Sequence, residues 1–132
     1  MKTATFYLDE SIFSHLLADA LLAQGVQIRR PGVDVPYGTP DEEWLKLAGR
    51  QRWIVLMRDQ RVRHRANEIQ ALRAAKVGAF ILTAGQASAQ ESVLVILRRL
   101  RKMVNISVSE KRPFVYTLAM SGALVRLKLR GR

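Results

Sequence analysis

The feature that most constrains this chain is an alternation between short apolar runs and longer stretches with apolar residues at helical spacing. "ATFYL" (4–8), "VQIRR" (26–30), "WIVLM" (53–57) and "AFILT" (79–83) read as strands. Between them lie helical stretches. "SIFSHLLADALLAQG" (11–25) carries Ile12, Leu16, Leu17, Ala20 and Leu21 on one face and stops at Gly25. "TPDEEWLKLAGRQR" (39–52) follows a Pro/Gly-rich loop at 31–40, "ANEIQALRAAKVG" (66–78) ends at Gly78, and "SAQESVLVILRRLRKMV" (88–104) comes last. Strands alternating with helices predict an α/β fold with a mainly parallel central sheet covered on both faces. "PFVYTLAMSGALVRLKL" (113–129) reads as a C-terminal hairpin around a Ser-Gly turn. The 132 residues suit a single domain spanning 1–132.

Two helix starts carry capping chemistry. Thr39 is placed as an N-cap, Pro40 suits the first turn, and Glu42 completes a capping box; Ser88 and Glu91 form a second. Asp41, Glu42 and Glu43 also sit where the helix dipole favours negative charge.

Charge divides the chain. Residues 1–60 hold 7 Lys/Arg and 8 Asp/Glu, whereas residues 61–132 hold 15 and 3, giving a net charge of +11 overall. A basic half of this size attracts polyanions, nucleic acid first among them. There is no cysteine, which excludes disulfides and thiolate metal sites. Apolar runs fall well short of the ~18 residues that would indicate a membrane span. "MKTATFYLDE" reaches an acid by residue 9, unlike a secretory leader. The expectation is a soluble, cytoplasmic protein with no membrane association.

Within this basic chain, Asp9 directly follows the first strand and Asp59 directly follows "WIVLM". Ligands of open parallel sheets bind beyond the carboxyl ends of the strands, where both acids would lie. The 31–40 loop is long enough to bring Asp41, Glu42 and Glu43 to the same edge. Carboxylates converging there would repel one another unless a cation neutralised them. Mg²⁺ or Mn²⁺ takes oxygen ligands and can activate water for phosphoryl displacement. Arg58, Arg61, Arg63 and Arg65 would then hold a phosphate backbone nearby.

Each feature also has a structural reading. Asp9 or Asp59 alone could cap the following helix, and helix initiation already explains Asp41, Glu42 and Glu43. His64 reads as a surface or phosphate contact, His15 as structural, Trp44 and Trp53 as core, and "RRLRK" (98–102) as a solvated helix face. The chain has no GxGxxG, Walker or G-x-S-x-G motif. A receiver-like phosphoacceptor reading of Asp59 lacks the lysine expected after a later strand, since "AFILTAGQ" offers only Thr83.

Taken together, "FYLDES", "TPDEEWLKLAGRQRWIVLMRDQRVRHR", "ALRAAKVGAFILTAG" and "RPFVYTL" resemble the compact PIN-like domains of VapC-related toxins, over roughly residues 5–120. The resemblance implies a three-layer α/β/α fold and a Mg²⁺- or Mn²⁺-dependent endoribonuclease. Its partners would be RNA, a cognate antitoxin protein that blocks the site, and a second copy in a homodimer. By position, Asp9, Asp41 and Asp59 are the implied catalytic and metal-binding acids, with Glu42 or Glu43 able to substitute for Asp41. The chain departs from the family pattern in two places. Gln60, Arg61 and Arg63 stand where a fourth acid is common, and Met57 replaces a hydroxyl often found near the site. A PIN-like RNA- or protein-binding module without catalysis is the alternative expectation.

Overall fold

The apolar runs form the strands of one sheet, described here from a computed structural model covering residues 4–59, 65–83 and 86–129. The elements are β1 (Thr5–Leu8), α1 (His15–Ala23), β2 (Gln27–Arg29), α2 (Asp41–Gln51), β3 (Ile54–Arg58), α3 (Arg65–Ala75), β4 (Gly78–Leu82), α4 (Ala89–Ser109), β5 (Phe114–Leu118) and β6 (Leu124–Arg126). Strand order is β2-β1-β3-β4-β5-β6. Strands β1 to β5 are mutually parallel, and β6 returns antiparallel to β5 through the expected hairpin, closed by Ala119 N–H donating to the Ala123 carbonyl at 3.0 Å.

Side chains alternate across a strand, and this alternation divides the core in two. Phe6, Leu8, Ile54, Leu56, Phe80, Leu82 and Phe114 pack with α1 and α4. Tyr7, Val55, Met57, Ala79, Ile81 and Val115 pack with Trp44, Leu45, Ala48 and Leu72 from α2 and α3. The architecture is therefore α/β/α, as the periodicity predicts. Each large side chain withdrawn from water in these layers stabilises the fold by about 1.5–3 kcal/mol.

Several helix ends differ from the expected ones. Helix α1 begins at His15 rather than near residue 11, because the chain first turns at Asp9, whose carbonyl accepts from Ile12 and Phe13, and Ser14 then caps the helix through Leu17 N–H. The Thr39–Glu42 capping box does not form. Pro40 occupies the N-cap position, and the Thr39 hydroxyl donates instead to the Pro36 carbonyl at 2.6 Å. The Ser88–Glu91 box does form, with both reciprocal bonds. Helix α4 runs on to Ser109 because Ile106 and Ser107 continue its buried face. Gly78 does not stop α3. Lys76 takes the left-handed conformation there, and Gly78 opens β4, where a Cβ would lie 2.4 Å from the Phe114 ring.

Helices α2 and α3 pack against one another, and near their C-terminal ends a Cβ on Gly49 would stand 2.4 Å from the Ala75 carbonyl oxygen. Toward their N-terminal ends, at the carboxyl edge of the sheet, they flank a cleft.

Candidate active site

The cleft is built outward from the end of β1. Asp9 N–H donates to the Leu56 carbonyl at 3.0 Å, extending the β1–β3 ladder by one residue. The chain then turns sharply, and Ser11 comes back to meet Asp9. Oδ2 of Asp9 accepts from Ser11 N–H at 3.1 Å and from the Ser11 hydroxyl at 2.6 Å. The same hydroxyl oxygen accepts from Arg58 N–H at 3.0 Å. One serine thus ties the Asp9 carboxylate to the end of β3, 47 residues further along the chain.

Asp41, the first residue of α2, is fixed in a different way. Its Oδ1 accepts from Trp44 Nε1 at 2.9 Å, one helical turn on. Trp44 in turn stacks on Tyr7 with ring centroids 4.7 Å apart, and Tyr7 stacks on Trp53 at 5.7 Å. Tyr7 is 1% exposed. Burial raises the pKa of its hydroxyl well above the ordinary tyrosine value, and Asp9, Glu10, Asp41 and Asp34 raise it further. Burial and the carboxylates of three chain segments thus act on this hydroxyl in the same direction.

Asp9, Glu10 and Asp41 line one cleft of about 420 Å³ together with Arg58 and Glu68, over apolar walls from Trp44, Leu45, Met57 and Leu72. A second cleft of about 370 Å³ adjoins it and shares Asp9, Glu10, Asp41 and Trp44. Glu68 was absent from the expected set. Its signal was its spacing: Glu68 and Leu72 lie four apart and so share one helix face, and Leu72 is core.

Other expected residues lie elsewhere. Asp59 continues β3 toward β4, its N–H donating to the Leu82 carbonyl at 2.9 Å; one carboxylate oxygen is buried, and the residue lines neither cleft. Glu42 pairs with Lys46 at 4.0 Å on the exposed side of α2, and neither Glu42 nor Glu43 lines either cleft. Arg58 does line the main cleft, and its guanidinium donates to the Ser92 hydroxyl in the first turn of α4 at 2.7 Å. Arg61, Arg63, His64 and the side chain of Arg65 lie outside the described residues. In "RRLRK", Arg98, Arg101 and Lys102 are exposed as expected, but Arg99 donates to the Gly122 carbonyl at 2.7 Å and supports the hairpin turn. His15 lies edge-on to Phe13 at the exposed start of α1.

Among the described residues, no three His, Asp or Glu side chains are gathered closely enough to form a metal cage. The expected convergence of Asp9, Asp41 and Asp59 on one ion is not formed in this arrangement. The donor chemistry of the cleft nevertheless suits a hard cation. Its anionic donors are all carboxylate oxygens, and Ser11 and Trp44 each engage one oxygen of their aspartate. One or two carboxylates, completed by water and substrate phosphate, are what Mg²⁺ ordinarily takes.

This geometry agrees with comparison against known families. A family model described as a PIN like domain matches residues 4–84. The chain belongs to the PIN-like domain family. The matched span runs from β1 past β4 and includes Asp9, Asp41, Asp59 and Glu68. This PIN-like chain thus has a nuclease-type fold with its acidic cleft at the carboxyl edge of the parallel sheet. No curated protein and no solved structure matches the chain. Among the described residues no helix is long and apolar enough to cross a membrane.

Proposed function

We propose that the protein is a metal-dependent endoribonuclease, and that it serves as the VapC-type toxin of a toxin–antitoxin pair. The observation that carries the reading is the meeting of Asp9 and Asp41 in one cleft of a PIN-like chain, each carboxylate held by its own hydrogen bond. Asp9 and Asp41 are the residues that would hold Mg²⁺ or Mn²⁺. Such an ion, when bound, supplies charge neutralisation and an activated water for attack on a phosphodiester.

The chain's own residues do the rest. Ser11 and Trp44 orient the two aspartates before substrate arrives, which spares reorganisation during the reaction. Arg58 lines the cleft at the end of β3, with its guanidinium held to Ser92 of α4, and is the residue of the described lining that would bring a cation toward a phosphate. The net charge of +11 draws RNA to a site whose own carboxylates would repel it. An antitoxin would act by covering the cleft.

A second reading is a PIN-like module that binds RNA or a protein partner without cleaving it. The lack of a three-acid cage among the described residues favours it. Incubation of a mixed RNA pool with the purified protein separates the two, using Mn²⁺, EDTA, and the variants Asp9→Asn and Asp59→Asn. Cleavage that requires metal and is lost in Asp9→Asn is the expected result. Loss in Asp59→Asn as well would extend the working site to β3. RNA retained intact in the presence of Mn²⁺, with binding that weakens steeply as salt rises, would overturn the nuclease reading in favour of the binding module.

A further inference from the structure

Beside the main cleft, the second cleft has a different chemistry. Among the described residues its lining includes Asp9, Asp41, Pro31, Pro36 and Tyr37, and no lysine or arginine. Among the described residues a phosphate would find no cationic partner there. An uncharged planar group with N–H donors would find both an apolar wall and carboxylates to accept from it.

Tyr37 is the feature that calls for explanation. It is 68% exposed in a loop that is held by its own hydrogen bonds. Gly32 N–H donates to the Val35 carbonyl at 2.6 Å, Val35 is buried, Arg30 N–H donates to Asp34 Oδ2 at 2.9 Å, and Thr39 bonds twice to the Pro36 carbonyl. The Tyr37 ring rests on Gly32, where an ideal Cβ would lie 2.4 Å from Cε2 and Cζ. Gly32 also has φ of +85°, which a larger residue adopts only with strain. An aromatic ring is therefore supported from below by a glycine and left open to solvent beside the acidic cleft.

We propose that Tyr37 is a stacking platform for a nucleobase of single-stranded RNA, placed one step from the phosphate that faces Arg58. Bases stack on aromatic side chains without regard to sequence, and a ring already held in place loses little freedom on binding. Glu10 and Asp41 border the platform, and carboxylates accept from exocyclic base amines. The strand thus crosses the Asp9–Asp41 pair with a base on the Tyr37 side and its phosphate on the Arg58 side. A paired base is already stacked and cannot reach the platform, so the site selects unpaired RNA. The proposal rests on reading the cleft as a nucleic-acid site.

The test uses a single-stranded oligoribonucleotide carrying 2-aminopurine, titrated in EDTA with the full-length protein and with Tyr37→Ala, Tyr37→Trp and Gly32→Ala. Melting curves confirm that each variant is folded. Quenching by the parent is expected, with at least about fivefold weaker binding in Tyr37→Ala, recovery in Tyr37→Trp, and no comparable binding of the duplex form. Gly32→Ala should weaken binding in the same direction by displacing the ring. Equal affinity of the parent and Tyr37→Ala would overturn the platform, and cleavage by the parent in Mn²⁺ would then leave the nuclease reading intact. Stacking that depends on Tyr37 in a parent that never cleaves would support the platform and remove catalysis. Absence of RNA binding by the parent in EDTA would overturn the platform, and cleavage in Mn²⁺ would decide the nuclease reading separately.

Discussion

At the scale of single residues, the site depends on groups that carry no charge. Ser11 contributes one hydroxyl, yet that hydroxyl donates to Asp9 and accepts from the backbone of Arg58. Ser11→Ala removes both contacts and leaves a half-buried N–H without its acceptor. We expect a stability loss of about 1–2 kcal/mol in denaturant titration and a fall of about 10–100-fold in Mn²⁺-dependent cleavage, the range for residues that orient a metal ligand. Tyr7 supplies a pH signature. Its folded-state pKa is raised while the unfolded value stays near the ordinary ~10, so above pH 10 the unfolded chain binds fewer protons than the native one. Stability from this group is therefore complete below pH 10 and declines as pH climbs toward the folded value. Tyr7→Phe should flatten that decline in melting curves taken between pH 9 and 11, while leaving the pH 7 value changed only modestly. Asp9 was legible in the sequence because it follows a strand directly. Trp44 was legible as core but not as a partner of Asp41, Glu68 only through its spacing from Leu72, and Ser11 not at all, since its tie to Arg58 closes only when β1 and β3 come together.

At the scale of elements, strand identity was the most legible property and helix termini the least. A buried strand announces itself by four or five consecutive apolar residues, as in "WIVLM" and "AFILT". A helix end turns on which of several polar groups takes an orphan N–H, and neighbours outside the helix decide that. Thr39 shows the competition: its hydroxyl is spent on Pro36 within the preceding loop, so α2 starts without a side-chain cap. Ser88 has no such rival and caps α4 reciprocally with Glu91. The two positions look equivalent in the sequence and should differ on mutation. Ser88→Ala is expected to cost about 1 kcal/mol in thermal or chemical unfolding. Thr39→Val, which removes an exposed loop bond and no cap, should cost no more than about half of that. Equal losses would mean that Thr39 does cap α2 in solution.

At the scale of the whole molecule, the alternation of runs and helices was enough to give the layered α/β/α architecture and the C-terminal hairpin. It could not say how the helix pair above the sheet is splayed. That depends on Gly49, whose missing side chain lets α2 come against the Ala75 carbonyl at the end remote from the acids. Gly49→Ala forces a methyl group against backbone that has no rotamer to yield. A loss of about 1–3 kcal/mol is expected on unfolding; an unchanged midpoint would show that the helices separate freely. The contact lies toward the amino edge of the sheet, and Asp41 and Glu68 line the cleft at the opposite edge of the same helix pair. On the proposed nuclease reading, side-chain size at residue 49 would be a means of altering the cleft from a position that no substrate touches, while every acid stays in place.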